Sequence, residues 1–169
     1  IGIIAMLCNI LSYQGKKQKM IILLQLFGGI LFAVNFLLLG ATVGGILNII
    51  AAFRAIVYLY KDKLRADKII WLVMFSLSYI TVYVLNFTLL GKEPNLFNLV
   101  IEFLPIIGML AINIGFMLKK ASDVRKCALV GSPAWLIYNI SAGSIGAIIC
   151  EAFSLVSIFV GILRHDRKS

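Results

Sequence analysis

Residues 1–19 read IGIIAMLCNILSYQGKKQK, and residues 104–122 read LPIIGMLAINIGFMLKKAS. Laid over one another at an offset of 103, they share Met6 with Met109, Leu7 with Leu110, and the basic pair Lys16-Lys17 with Lys119-Lys120. The same offset carries Ile1–Ala66 onto Leu104–Ser169 without a gap, giving 11 identities in 66 positions, Gly28 with Gly131 and Gly40 with Gly143 among them. Apolar runs and basic loops coincide as well, so the chain reads as two copies of one unit.

Working outward, the composition sets the class. Of 169 residues, 62% are apolar and only 14% charged, whereas a soluble domain is near half apolar and a quarter charged. Seven spans of about 20 residues would use about 140 positions and leave about 29 for all loops and tails. This excludes a soluble enzyme, a disulfide scaffold, a disordered tail and a separate extramembrane domain. The net charge of +9 does not point to nucleic acid, because the cations form no single patch.

Apolar runs fall at Ile1 to Tyr13, Met20 to Leu39, Thr42 to Tyr60, Ile69 to Leu90, Leu96 to Leu118, Lys126 to Ile140 and Gly143 to Leu163. Each reads as a helix, giving an all-α polytopic membrane protein with seven transmembrane helices. The first run is too short to span alone and the chain opens on Ile, so further N-terminal residues are expected; a cleaved signal peptide is the competing reading. Between the runs lie Lys16, Lys17 and Lys19; Lys61, Lys63, Arg65 and Lys68; Lys119, Lys120, Arg125 and Lys126; and Arg164, Arg167 and Lys168, which together hold 14 of the 16 cations. With seven spans all four clusters share one side, and an even count would divide them. Positive loops stay cytoplasmic, so the N-terminus is expected outside and the C-terminus inside.

Three helices per unit is an odd number, so a reversing linker lets both copies enter the membrane from the same side. The expected organisation is a first three-helix repeat at residues 1–66, a linker helix at 67–95 and a second three-helix repeat at 96–169. The two repeats are parallel, related by a pseudo-twofold axis along the membrane normal. Cys8, Cys127 and Cys150 show no metal or disulfide spacing, His165 lies in the basic tail, and no phosphate-binding Gly-rich loop is present. No enzyme activity and no cofactor are expected.

This 3+1+3 layout resembles the SWEET and PQ-loop transporter superfamily. Trp135-Leu-Ile-Tyr138, followed in the next helix by Glu151, is similar to the SWEET pattern of Trp-x-x-Tyr and then a pocket Asn. The first-half counterparts are Phe32, Asn35 and Asn48; Asn48 keeps the amide and Glu151 replaces it with a carboxyl. Of the recurring prolines of that pattern, Pro105 and Pro133 are present, opposite Gly2 and Ile30, and the Pro-Gln dipeptide is absent. The whole chain, including Leu-Leu-Gly40 and the Asn48 to Arg54 segment, looks closer to the YgjV-type family of bacterial inner-membrane proteins. The resemblance implies a substrate pocket formed by Phe32, Asn35, Asn48, Trp135, Tyr138 and Glu151.

The residues themselves carry part of this. Glu151 lies eight residues into the last run, roughly 12 Å from its start and near mid-bilayer. A charge there is expensive and points into the bundle, so the group is expected to be protonated or held by a cation or donors. Its stripe of Ser144, Ala147, Ser154 and Ser157 or Gly161 is small or polar, which also suits close helix packing, while Phe153, Val156 and Phe159 or Val160 can face lipid. Asn48 suits either an interhelical hydrogen bond or a solute contact. Gln25, Gly28, Phe32 and Asn35 form another face, where aromatic rings beside amides suit a small polar solute. Arg54 lies about 9 Å from its helix end; it either snorkels to the interface or serves as a gate or ion-pair partner. Asn9 and Asn113 are expected to bond neighbouring helices, Glu102 to sit at headgroup level, and Trp71 and the Tyr residues near helix ends to act as interfacial anchors.

Two function classes follow. One is a small-solute carrier with a central pocket between two three-helix bundles, with a proton coupled through Glu151. The other is a non-transporting integral membrane adaptor or assembly factor, whose polar residues only stabilise the bundle. Membrane lipids and an unknown small polar solute are the expected partners, nucleic acid is not, and a homo-oligomer is compatible with either class.

Overall fold

In the computed structural model, residues 1–38, 42–141, 143 and 145–166 are described. Gly40, Ser144, Arg167 and Lys168, which entered the readings above, lie outside these residues. Eight helices and no strand occur among the described residues: α1 (Gly2–Ser12), α2 (Gln18–Leu38), α3 (Thr42–Leu59), α4 (Lys61–Leu64), α5 (Ile69–Thr88), α6 (Leu96–Met117), α7 (Ala121–Ser141) and α8 (Ile145–His165).

Four of them, α2, α5, α6 and α8, are long and apolar enough to cross a membrane. The sequence had suggested seven. Helix α1, with 11 residues, and the apolar part of α3 are shorter, and α7 carries Asp123, Arg125 and Lys126 in its first two turns. Helix α7 starts at Ala121, five positions before the apolar run at Lys126, and α4 is a single turn that no apolar run announces.

Local chemistry explains the ends. Asn95 caps α6, its side chain accepting from the Asn98 amide at 2.8 Å. At the other end of α6 the orphan carbonyls are taken by donors from the first half of the chain. Gln18 Nε2 donates to Gly115 O and Leu118 O at 3.0 and 2.6 Å, and Lys61 Nζ to Met117 O and to Leu118 O at 2.6 Å. Burial holds the Lys61 pKa below the ordinary lysine value, with Asp67 pulling the other way. The corresponding end of α1 is held from the second half. Arg125 Nη1 donates to Tyr13 O and Gly15 O at 3.3 and 2.9 Å, while its Nε and Nη2 pair with the Asp166 carboxylate. Arg125 is therefore not part of a solvated basic loop; it is 1% exposed inside α7.

Neighbour relations are unchanged when α1, α2 and α3 exchange with α6, α7 and α8. Within each set the helices pack in chain order, α3 meets α6 as α8 meets α1, and α2 meets α7. Helix α5 packs on α3 and α6, outside this exchange. Equivalent crossings use equivalent positions. A Cβ on Gly28 would meet Ala5 O at 3.2 Å, and one on Gly131 would meet Gly108 O at 3.3 Å; Ala5 and Gly108 are themselves 103 apart. Small residues here let the backbones approach closely.

A core of Ile21, Tyr58, Phe75, Tyr79, Phe116 and Val124 fills the end of the bundle nearer the basic loops. Tyr58 and Tyr79 are 1% and 0% exposed, and Tyr13 is buried too, so Tyr13 and Tyr58 are core residues rather than interfacial anchors. The outside is apolar: Ile70, Leu77 and Val84 of α5 and Phe153, Val156 and Phe159 of α8 are exposed.

Candidate functional site: a cavity between the two halves

A cavity of about 150 Å³ lies among α1, α2, α3, α6, α7 and α8. Its wall is built from positions 103 apart: Asn9 and Ile112, Tyr13 and Phe116, Phe32 and Trp135, Phe36 and Asn139, and Asn48 and Glu151 all line it. Gly28 and Gly131 close its sides where the helices cross. No α5 residue lines it among the described residues, although Tyr79 of α5 reaches the Arg54 guanidinium behind it.

Each candidate residue has a definite place. Phe32 faces the cavity and stacks on Phe36, ring centroids 6.0 Å apart. Asn48 lines it too, but its amide donates to Gly44 O of its own helix at 2.9 Å rather than to a neighbouring helix. That bond leaves the Asn48 carbonyl oxygen as an acceptor. Trp135 lines the opposite wall in an edge-to-face contact with Tyr138 at 5.9 Å. Glu151 is half-buried at the wall with Ser132 beside its carboxyl.

Asn35 and Tyr138 do not line the cavity. Each stands one helical step of three residues beyond a wall aromatic, and Asn35 turns instead toward α1, where a Cβ on Gly2 would meet its Oδ1 at 3.1 Å. The two are 103 apart, so both halves displace the same position.

Arg54 does not snorkel, and among the described residues it pairs with no carboxylate. It is 4% exposed, its Nη1 donates to Tyr79 Oη at 3.0 Å and to Met109 O at 3.1 Å, and its guanidinium carbon lies 5.1 Å from the Phe116 ring centre. Asn113 does bond across helices, accepting from Tyr58 Oη at 3.0 Å and donating to Leu72 O at 3.2 Å. Glu102 is mostly buried; it pairs with Lys92 at 3.0 Å and accepts from Asn86 Nδ2 at 3.0 Å. On α8, Ser154 and Ser157 are buried, and Ser157 Oγ donates to Ile10 O at 2.6 Å.

Sequence reasoning passed over Ser132, Asn139 and Cys150. The first two were reachable through the offset, because they are the counterparts of Gly29 and Phe36 on the face that carries Phe32.

Apolar helices of membrane length and a lipid-compatible exterior define a polytopic helical membrane protein. The chain matches the family model Imp-YgjV, described as bacterial inner membrane protein, over residues 1–169. It belongs to that family. No curated protein and no solved structure matches it.

Proposed function

We propose that this chain is a small-solute carrier of the bacterial inner membrane. It works with seven spans in a 3+1+3 arrangement, the basic loops facing the cytoplasm and the N-terminus outside. The observation that carries the reading is the cavity itself: paired positions of the two halves meet around one space lined by an arginine, a glutamate and four amides. An adaptor has no use for such a space, and filling it with apolar side chains would stabilise the bundle. In the carrier, the halves rock against each other where α3 meets α6 and α8 meets α1, and α5 joins them as the reversing linker. Phe32 and Trp135 form the ring-bearing walls, Asn48 orients the solute, and the protonation state of Glu151 is coupled to solute binding.

Two-sided access tests this. In a background where Cys8, Cys127 and Cys150 are replaced by Ala, an Asn48→Cys variant should react with a membrane-impermeant maleimide from either face in oriented vesicles, because the halves alternate. Labelling from one face only, or from neither, would sink the carrier reading.

A further inference from the structure

We infer that the cavity takes its solute by a carboxylate, with Arg54 as the group that binds it. This rests on reading the cavity as a solute site and adds the chemical class of the solute.

Arg54 lies in the cavity wall and is 96% buried. Its contacts are a phenol, a peptide carbonyl and a ring face, all uncharged. Both ion pairs among the described residues are elsewhere, Lys92 with Glu102 and Arg125 with Asp166. Its buried Nε proton has no acceptor. Neutral partners orient a guanidinium without neutralising it, and an uncompensated cation in a bundle interior is costly. An anion entering the cavity supplies both the missing acceptor and the missing charge.

The rest of the wall selects among anions. A planar guanidinium fork matches a carboxylate bidentately. Phe32, Phe36 and Trp135 offer apolar surface that a bare inorganic ion would leave untouched. A cavity of about 150 Å³ holds a molecule of benzene size. A small organic monocarboxylate therefore fits in size and charge. Glu151 is the other charged type in the wall, and a solute that also carries an ammonium group gains a partner there. Amino acids and simple carboxylates share the Arg54 contact.

Calorimetric titration of the full chain in nanodiscs, with probes matched in size, separates the cases. Benzoate and propionate should bind at least about tenfold tighter than benzyl alcohol and propanol, as a charge-assisted bidentate pair requires. In Arg54→Gln that preference should fall below about twofold with benzyl alcohol still bound, and Arg54→Lys should keep a reduced preference. If Arg54→Gln does not fold, Arg54→Lys decides: benzoate must weaken while benzyl alcohol does not. Alanine binding tighter than propionate, with the difference lost in Glu151→Gln, assigns the ammonium contact; equal binding assigns a simple carboxylate; both uphold Arg54. The inference is overturned if the alcohols bind as tightly as the acids, if the preference survives in Arg54→Gln, if Arg54→Lys weakens both probes equally, or if no acid binds. Alcohol binding without preference leaves the carrier standing; acid binding without two-sided labelling leaves this inference standing and removes the carrier.

Discussion

Replacing Asp166 by Asn should destabilise the protein far more than its place near the chain end suggests. The carboxylate receives Arg125 Nε at 2.9 Å and Arg125 Nη2, and the two side chains are 11% and 2% exposed. An exposed ion pair is worth about 0–1 kcal/mol. Removing one partner of a buried pair costs about 3–5 kcal/mol, since the other charge is left buried and unpaired. Asn keeps the shape and one acceptor, so the lower end, about 3 kcal/mol, is expected. The cost should exceed one lost bond because Arg125 also holds Tyr13 O and Gly15 O; an unanchored guanidinium gives up the α1 end as well. Reversible unfolding by SDS titration in mixed micelles measures it. A double-mutant cycle with Arg125→Met should return a coupling of about 2 kcal/mol or more, as for residues in one network. An Asp166→Asn cost below about 1 kcal/mol, or a coupling near zero, would refute the reasoning.

Gly108→Ala places a Cβ 2.5 Å from Trp135 Cδ1 and Nε1; the indole must move, the cavity narrows, and the shift in tryptophan emission should be absent in Gly146→Ala, where a Cβ meets open space. Tyr58→Phe leaves buried Asn113 Oδ1 without its donor and should cost about 1–3 kcal/mol in the same unfolding assay. Glu151→Gln keeps hydrogen-bonding capacity and removes only the titration, so any pH dependence of solute binding between about pH 5.5 and 8 should flatten with the bundle still folded; an unchanged profile makes Glu151 structural. A reporter fused after Ser169 should signal from the cytoplasm, and a periplasmic signal would reverse the proposed orientation.

Helix positions were legible because membrane-length apolar runs leave few alternatives. The start of α7 was not: Asp123 and Arg125 look like loop charges until Asp166, 41 positions away, is seen to neutralise Arg125. The cavity was half legible. The offset brings out Phe32 with Trp135 and Asn48 with Glu151, and all four line the cavity. It carries Asn35 and Tyr138 along as well, since spacing alone does not say which edge of a helical face looks inward. The partners of Arg54 were not legible, because Tyr79 and Met109 come from α5 and α6 and no local pattern connects them.

The capping at the basic end sets a rule of supply. The carbonyls just past α1, Tyr13 O and Gly15 O, are satisfied by Arg125 of the second half, and the last ones of α6 by Gln18 and Lys61 of the first. The donors are not counterparts: the offset pairs Arg125 with Ile22, and Gln18 with Ala121. Each half therefore finishes a helix end that it does not own. Made separately and in unequal amounts, the surplus half would be left with bare carbonyls and an idle cation. A single polypeptide delivers them one to one.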